Sequence, residues 1–256
     1  MIDGKEIYLG LDISTKTIGV CLLADDGSEN GKILELTHIT PKVSKGVTGI
    51  EELFIKKNIF KDYLQKYVGI GIDHVVIEEP LLMSNNAVTV SVLLRFNGMI
   101  SDTIYTMLGI VPNYISSYDA RKYAFPELMS IRKYAKDELQ YPYGKVLDSI
   151  LHSRLVLFGG YPWTIDKKVV VQGIISDRFP DIEWVYGKNG ELKKENFDAS
   201  DAYVAVYGYL NKKKNGELKF KIENVKEKQR KGTREKTIEY DVKYWDKTEH
   251  KITYLK

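Results

Sequence analysis

Residues 6–40 hold three strand-like runs in immediate succession, and this opening limits the fold more than any other feature of the chain. EIYLGLDIS is apolar around an aspartate, and TIGVCLLAD follows after a short turn. DDGSENG has hairpin chemistry, and KILELTHIT alternates. Beyond them, helix-like and strand-like runs take turns. A helix is expected over 50–67, where Leu53, Phe54, Phe60, Leu64 and Tyr67 recur at roughly helical spacing. HVVIEEP reads as a short buried strand ended by Pro80. Residues 86–108 read as a long helix, VPNYISS as a strand and 119–125 as a short helix. A tyrosine-rich helix is expected over 128–159, closing at Gly159-Gly160, and another helix over 164–178. VYGKNGELKKEN is a polar excursion with an Asn-Gly turn, and FDASDAYVAVYGYL is a final helix with small residues along its packing face. Three antiparallel strands followed by strands alternating with helices predict an α/β fold, a mixed five-stranded sheet flanked by helices.

From residue 211 the chain changes character. LKFKIENV, KTIEYDVKYW and HKITYL alternate, which predicts a β-rich C-terminal extension. The extension holds 15 Lys and Arg against 8 Asp and Glu, a net +7, so in a chain of net charge +3 the remainder carries −4. An acidic body suits cation binding and a basic tail suits phosphate, although a lysine-rich stretch also simply solvates a surface. The 256 residues, 43% apolar and 29% charged, have the make-up of an ordinary globular protein, with no apolar run long enough to cross a membrane. MIDGKE leads straight into the first strand without a signal-peptide pattern. The lone cysteine, Cys21, sits in an apolar run, so the expected setting is cytoplasmic.

Four acids stand at element boundaries: Asp12 ends the first strand, Glu78 and its neighbour Glu79 end the fourth, and Asp198 and Asp201 open the last helix. Asp198 and Asp201 are three apart and share a helix face. Glu78 and Glu79 are adjacent in a strand and point to opposite faces, so only one can join a cluster. Converging carboxylates repel unless cations neutralise them, and such hard oxygen donors suit Mg²⁺ or Mn²⁺. Two such ions about 4 Å apart would activate a water and stabilise a leaving oxygen of a phosphodiester. Each acid alone also reads as a helix cap or a surface charge, Asp198 as an N-cap in particular. The histidines show no metal-ligand spacing, and most of the 18 tyrosines read as packing.

At these residues the chain resembles the RuvC family of Holliday junction resolvases. LGLDISTKTIGVCLL resembles the family's opening strand, aspartate, turn and second strand, and VVIEEP its strand ending in Ile-Glu. SNNAVTVSVLLRFNGMI is similar to the long helix that follows, and DARKYAF and IDKKVVVQGII to its lysine-bearing segments. FDASDAYVAVYGYL is similar to its closing Asp-Ala-x-Asp-Ala helix. The resemblance runs over residues 6–210. It implies an RNase H-like fold and a structure-selective endonuclease. Asp12, Glu78, Asp198 and Asp201 would be catalytic and hold two Mg²⁺ ions per site, with Mn²⁺ as substitute. Lys122 and Lys168 or Lys167 would lie near the DNA backbone. Branched or four-way-junction DNA is the implied partner, and a homodimer the implied assembly. Where bacterial members carry an aromatic wedge, this chain has Leu81, an apolar wedge that cannot stack on a base. Residues 127–163 read as an insertion in a nuclease domain spanning 1–210, and the basic extension at 211–256 has no counterpart in the compact bacterial enzymes. These departures resemble divergent viral or phage-type members, for which the setting would be the host cytoplasm.

Other functions share parts of this pattern. A DNA-packaging nuclease uses similar acids, and a junction-binding protein needs none of them. Strand–Asp–turn–strand also opens actin-like and sugar-kinase ATPases, but those need further phosphate-binding glycine loops, and Gly159-Gly160 stands isolated.

Overall fold

A computed structural model describes residues 5–80, 86–132, 135–140, 167–190, 192–193, 195–229, 231–232 and 236–255. Strands β1 (Ile7–Ile13), β2 (Ile18–Ala24) and β3 (Lys32–Ile39) form an antiparallel meander. β1 and β2 are apolar almost throughout because both of their faces are covered, whereas the edge strand β3 alternates. Between β1 and β2, Ser14 closes a tight turn. Its hydroxyl accepts the N–H groups of Lys16 and Thr17 and donates to the Thr17 carbonyl at 2.8 Å. The chain then passes through helix α1 (Gly49–Leu64) to β4 (His74–Glu78), and through helix α2 (Ala87–Leu108) to β5 (Asn113–Ile115). β4 lies parallel to β1, and β5 parallel to β4. The sheet order β3-β2-β1-β4-β5, a meander extended by two parallel strands, is the RNase H-like arrangement.

The two faces of the sheet carry different partners. Ile7, Leu9, Leu11 and Ile13, with Val20, Val75 and Ile77, form one core with α1 and α2. α1 buries a stripe of Leu53, Lys56, Phe60 and Leu64. Phe54 is instead 50% exposed and the lysine is inside, the reverse of what hydropathy suggests. α2 starts where Asn86 caps the N–H groups of Val88 and Thr89, and ends at Gly109, whose φ of 72° suits a glycine C-cap.

The opposite face is covered by the last long helix, α5 (Glu195–Asn215), which follows α4 (Lys167–Arg178) in the chain. α5 lies so close that a Cβ on Gly10 would fall 2.5 Å from the Ala202 carbonyl oxygen and 2.7 Å from the Val206 Cβ. Glycine inside a strand here serves close backbone approach. Tyr207 donates its hydroxyl to the Glu29 carbonyl at 2.8 Å and Tyr203 to that of Asn30 at 3.3 Å, which ties α5 to the β2–β3 hairpin. α5 begins three residues before Asp198, so Asp198 sits inside the first turn and is not the N-cap.

Helix α3 (Ser117–Ala124) follows β5. Where a helix was expected over 128–159, residues 130–132 and 135–140 form an antiparallel pair, β6 (Ser130–Arg132) and β7 (Ala135–Gln140), and residues 133–134 and 141–159 lie outside the described residues. A helical window cannot register this outcome, because strands are settled by a pairing partner. The C-terminal extension is an antiparallel meander of β8 (Phe220–Gln229), β9 (Lys236–Tyr244) and β10 (Lys247–Leu255). Ile238, Tyr240, Val242 and Tyr244 line its buried side. Lys251, 2% exposed, donates to the carbonyls of Glu127 and Met129. The chain divides into two compact units, one of residues 1–120 and 180–209, the other of residues 121–179 and 210–256.

The Gly10 approach predicts that Gly10→Ala destabilises the protein by about 1–3 kcal/mol, the usual cost of overpacking. Urea unfolding measures it, and an unchanged midpoint would show that α5 can back away freely.

Candidate active site

The register across β1 gathers the acids. Asp12 pairs with Gly19 of β2. On the other side Leu11 is in register with Ile77, so the next step sets Asp12 beside Glu78 at the C-terminal ends of two neighbouring parallel strands. In-register residues point to the same face, and alternation then groups Tyr8, Gly10 and Asp12 with His74, Val76 and Glu78. Tyr8 stacks on His74 with ring centroids 4.8 Å apart, in keeping with a shared face.

α5 covers this face and runs antiparallel to β1. Its Tyr209 ring lies 6.5 Å from Tyr8 and 6.1 Å from His74. Ala202 and Val206 sit over Gly10, and a Cβ on Gly19 would fall 1.9 Å from the Asp198 carbonyl oxygen. The first turns of α5 therefore rest on Gly19 of β2 and Gly10 of β1, beside the strand end that carries Asp12. Asp198 is half-buried there and Asp201 is 8% exposed. The positive end of the helix dipole favours acids in this turn.

Asp12 and Glu78 are both half-buried, while Glu79 is exposed and alternation turns it to the α1–α2 face. Its N–H donates to the Ile115 carbonyl at 2.8 Å, which extends the β4–β5 pairing. Among the described residues, no three His, Cys, Asp or Glu side chains are close enough together to hold a metal ion as they stand. The four acids share one end of one sheet face without forming a closed ligand shell. As a donor set they are all hard carboxylate oxygens, which fits Mg²⁺ or Mn²⁺ and not a soft metal.

The remaining residues singled out in the sequence stand on other elements or are not described. Lys122 is in the last turn of α3, its ammonium 5.1 Å from the Tyr123 ring centroid, and Lys212 lies 5.2 Å from the same ring. Lys167 and half-buried Lys168 open α4. Cations in a first turn oppose the helix dipole, so helix stability does not account for them. Leu81 lies outside the described residues. Cys21 is fully buried, and burial pushes its thiol well above the usual range, which removes it as a nucleophile.

Three features escaped the sequence reading. Gly10 and Gly19 let α5 approach, and a glycine inside each bulky strand was a signal for this. Asn196 clamps both main-chain groups of Val185, at 3.0 and 2.8 Å, and so fixes the loop entering α5. Lys56 reaches the β1–β2 turn, where its ammonium donates to the Thr15 carbonyl at 2.6 Å. Nothing local foretells that bond.

No family model matches this chain, and no curated protein does. Among solved structures it is similar to Thermus thermophilus RuvC in complex with a Holliday junction substrate, at 10% identity, with 82% of this chain and 96% of that chain covered and a TM-score of 0.49. It is also similar to the yeast mitochondrial Holliday junction resolvase, at 8% identity, with 80% and 78% covered and a TM-score of 0.48. An Aquifex aeolicus member of the Ppx/GppA protein family matches at 11% identity, with 81% and 89% covered and a TM-score of 0.36. At these identities the likeness lies in chain path, and the fold stated above follows from strand order and register.

The register predicts that Glu78 and Glu79 behave differently. Glu78→Gln should weaken Mn²⁺ binding by about tenfold or more, equivalent to ~1.4 kcal/mol. Glu79→Gln should leave it within about twofold, a fraction of a kcal/mol. Calorimetric titration of the two variants separates them, and a larger loss for Glu79→Gln would mean that the neighbours are assigned the wrong way round.

Proposed function

We propose that this chain is a metal-dependent endonuclease that cleaves branched DNA, with Holliday junction resolution as its main activity. The observation that carries this reading is the placement of Asp12 and Glu78 on neighbouring parallel strand ends, with the start of the helix that bears Asp198 and Asp201 seated on Gly19, the partner of Asp12. These four residues would hold two Mg²⁺ ions, which when bound supply an activated water and stabilise the departing 3′ oxygen of the phosphodiester. The chain's own contribution is positioning. Asp12 and Glu78 project from strands whose backbones are locked in the sheet, and Asp198 and Asp201 from a helix start seated on Gly19. Lys122, Lys167 and Lys168 hold the DNA backbone, and Leu81 acts as an apolar wedge at the branch. Hydrolysis leaves a 5′ phosphate. Symmetric nicking of a four-way junction needs two sites, which a homodimer supplies. In this reading residues 1–210 carry the chemistry, and the chain is a divergent viral or phage-type member acting in the host cytoplasm. Among the described residues no helix is long and apolar enough to cross a membrane.

The basic extension supplies affinity, but its charge is partly spent within its own sheet. Lys221 and Lys243 both pair with Glu223, at 2.5 and 2.7 Å, Lys228 pairs with Glu239 at 2.7 Å, and His250 meets Asp241 at 2.9 Å. Glu223 and Glu239 are held below their usual pKa range first by the hydrogen bonds from those lysines, and Asp241 first by the hydrogen bond from the Asn224 amide and then by that of His250. Lysines such as Lys219 and Lys231 lie exposed beyond these pairs.

In a nicking assay with Mg²⁺ on four-way, flap and linear duplex DNA, the expected order is four-way first and linear last, with no cleavage in EDTA. Asp12→Asn and Asp198→Asn should each lower the rate by roughly a hundredfold or more while leaving DNA binding intact. Metal-dependent nicking by the double variant would overturn the assignment. Tight junction binding without nicking by the wild type would favour a non-catalytic junction-binding protein, and equal cutting of linear duplex a DNA-packaging nuclease.

Removing the charges of Lys219 and Lys231 together, as Gln, should flatten the plot of log affinity against log salt by roughly two units of slope. Lys221→Gln should change it by less than about one unit, because Glu223 holds that lysine in an ion pair. Equal slopes for all three proteins would take the extension off the DNA.

A further inference from the structure

The acid site is supported from the far side of the sheet by a buried charge. Lys56 occupies the sheet-facing stripe of α1 between Leu53 and Phe60, and it is only 8% exposed. A buried ammonium is costly unless it is paired, and an apolar residue of the same volume commonly serves stability as well or better. Lys56 pairs with Glu52 one turn earlier in its own helix, at 2.5 Å. Its other recorded hydrogen bond crosses 41 residues of sequence to the Thr15 carbonyl, at 2.6 Å.

Thr15 belongs to the turn that leaves β1 just after Asp12. The Ser14 hydroxyl closes that turn on itself, which sets its internal shape but not its position against the sheet. Two contacts set the position. On one face the main chain of Asp198 rests on Gly19, the partner of Asp12. On the other, Lys56 holds Thr15. The end of β1 is thus pinned from both sides within a few residues of Asp12.

We propose that Lys56 is a positioning residue for the carboxylate site, acting through the Thr15 carbonyl to hold the β1–β2 turn and so the placement of Asp12. This rests on the nuclease reading above. Lys56 contacts neither the metal nor the DNA. It sets how well the site is organised before a cation arrives, so its loss raises the metal concentration needed and leaves the rate at saturating metal nearly unchanged.

The test compares wild type, Lys56→Met and Lys56→Arg by amide hydrogen exchange, by Mn²⁺ titration calorimetry and by nicking across a range of Mn²⁺ concentrations. For Lys56→Met, exchange in residues 14–17 should speed up by about tenfold while the β1 and β2 ladders keep their protection. Mn²⁺ affinity should fall by about tenfold, with the rate at saturating Mn²⁺ within about twofold of wild type. Lys56→Arg, which keeps a charged donor, should recover part of both. Should the methionine variant not fold, Lys56→Gln, whose shorter side chain does not span to Thr15, replaces it. If the wild type binds Mn²⁺ and nicks DNA but the Lys56 variants match it in turn exchange and metal affinity, the positioning role is overturned and the nuclease reading stands. If the wild type neither binds Mn²⁺ nor nicks DNA, the nuclease reading falls and takes the positioning role with it.

Discussion

The main chain of α5 touches the sheet at two glycines, and the layout of the candidate site depends on those contacts. At Gly10 the helix backbone at Ala202 comes so near that no side chain fits between them, and at Gly19 the Asp198 carbonyl does the same. A helix held off by ordinary side chains packs with its axis about 10 Å from a sheet, which would lift its first turn away from the strand ends. With glycines in β1 and β2, the turn bearing Asp198 and Asp201 sits directly on β2 at Gly19, the partner of Asp12. Tyr203 and Tyr207, bonded to the β2–β3 hairpin, and Asn196, bonded to Val185, fix the same helix along its length and at its entry.

Buried lysines recur as devices that join distant parts of the chain. Lys56 donates to a turn 41 residues away, and Lys251 donates to the carbonyls of Glu127 and Met129, 124 and 122 residues away. In each case the ammonium takes main-chain oxygen atoms of residues outside the α-helices and strands. Such bonds favour one arrangement over others more than they add net stability, because burying the charge offsets much of what pairing returns. In the extension, ion pairs across neighbouring strands do similar work on the exposed side. The net of seven positive charges already counts these acids, so the ion pairs decide which lysines carry the excess and not how large it is.

Apolar period and turn chemistry carry the order of strands and helices in residues 6–124, because each window there encodes which side of an element is buried. β1, β2, α1, α2 and β4 follow from that, as does the position of Asp12 and Glu78 near strand ends. Adjacent strand residues face opposite ways whatever the fold, so the sequence by itself determined that only one of Glu78 and Glu79 could face the other acids. Which one does was decided by the parallel register of β1 and β4. Tertiary structure also decided that Lys56 is inside and Phe54 outside, that residues 130–132 pair with 135–140 as strands, and that Lys228 and Lys243 meet acids of the neighbouring strand. Each of these depends on a partner tens of residues away, whose identity no local pattern of hydropathy records.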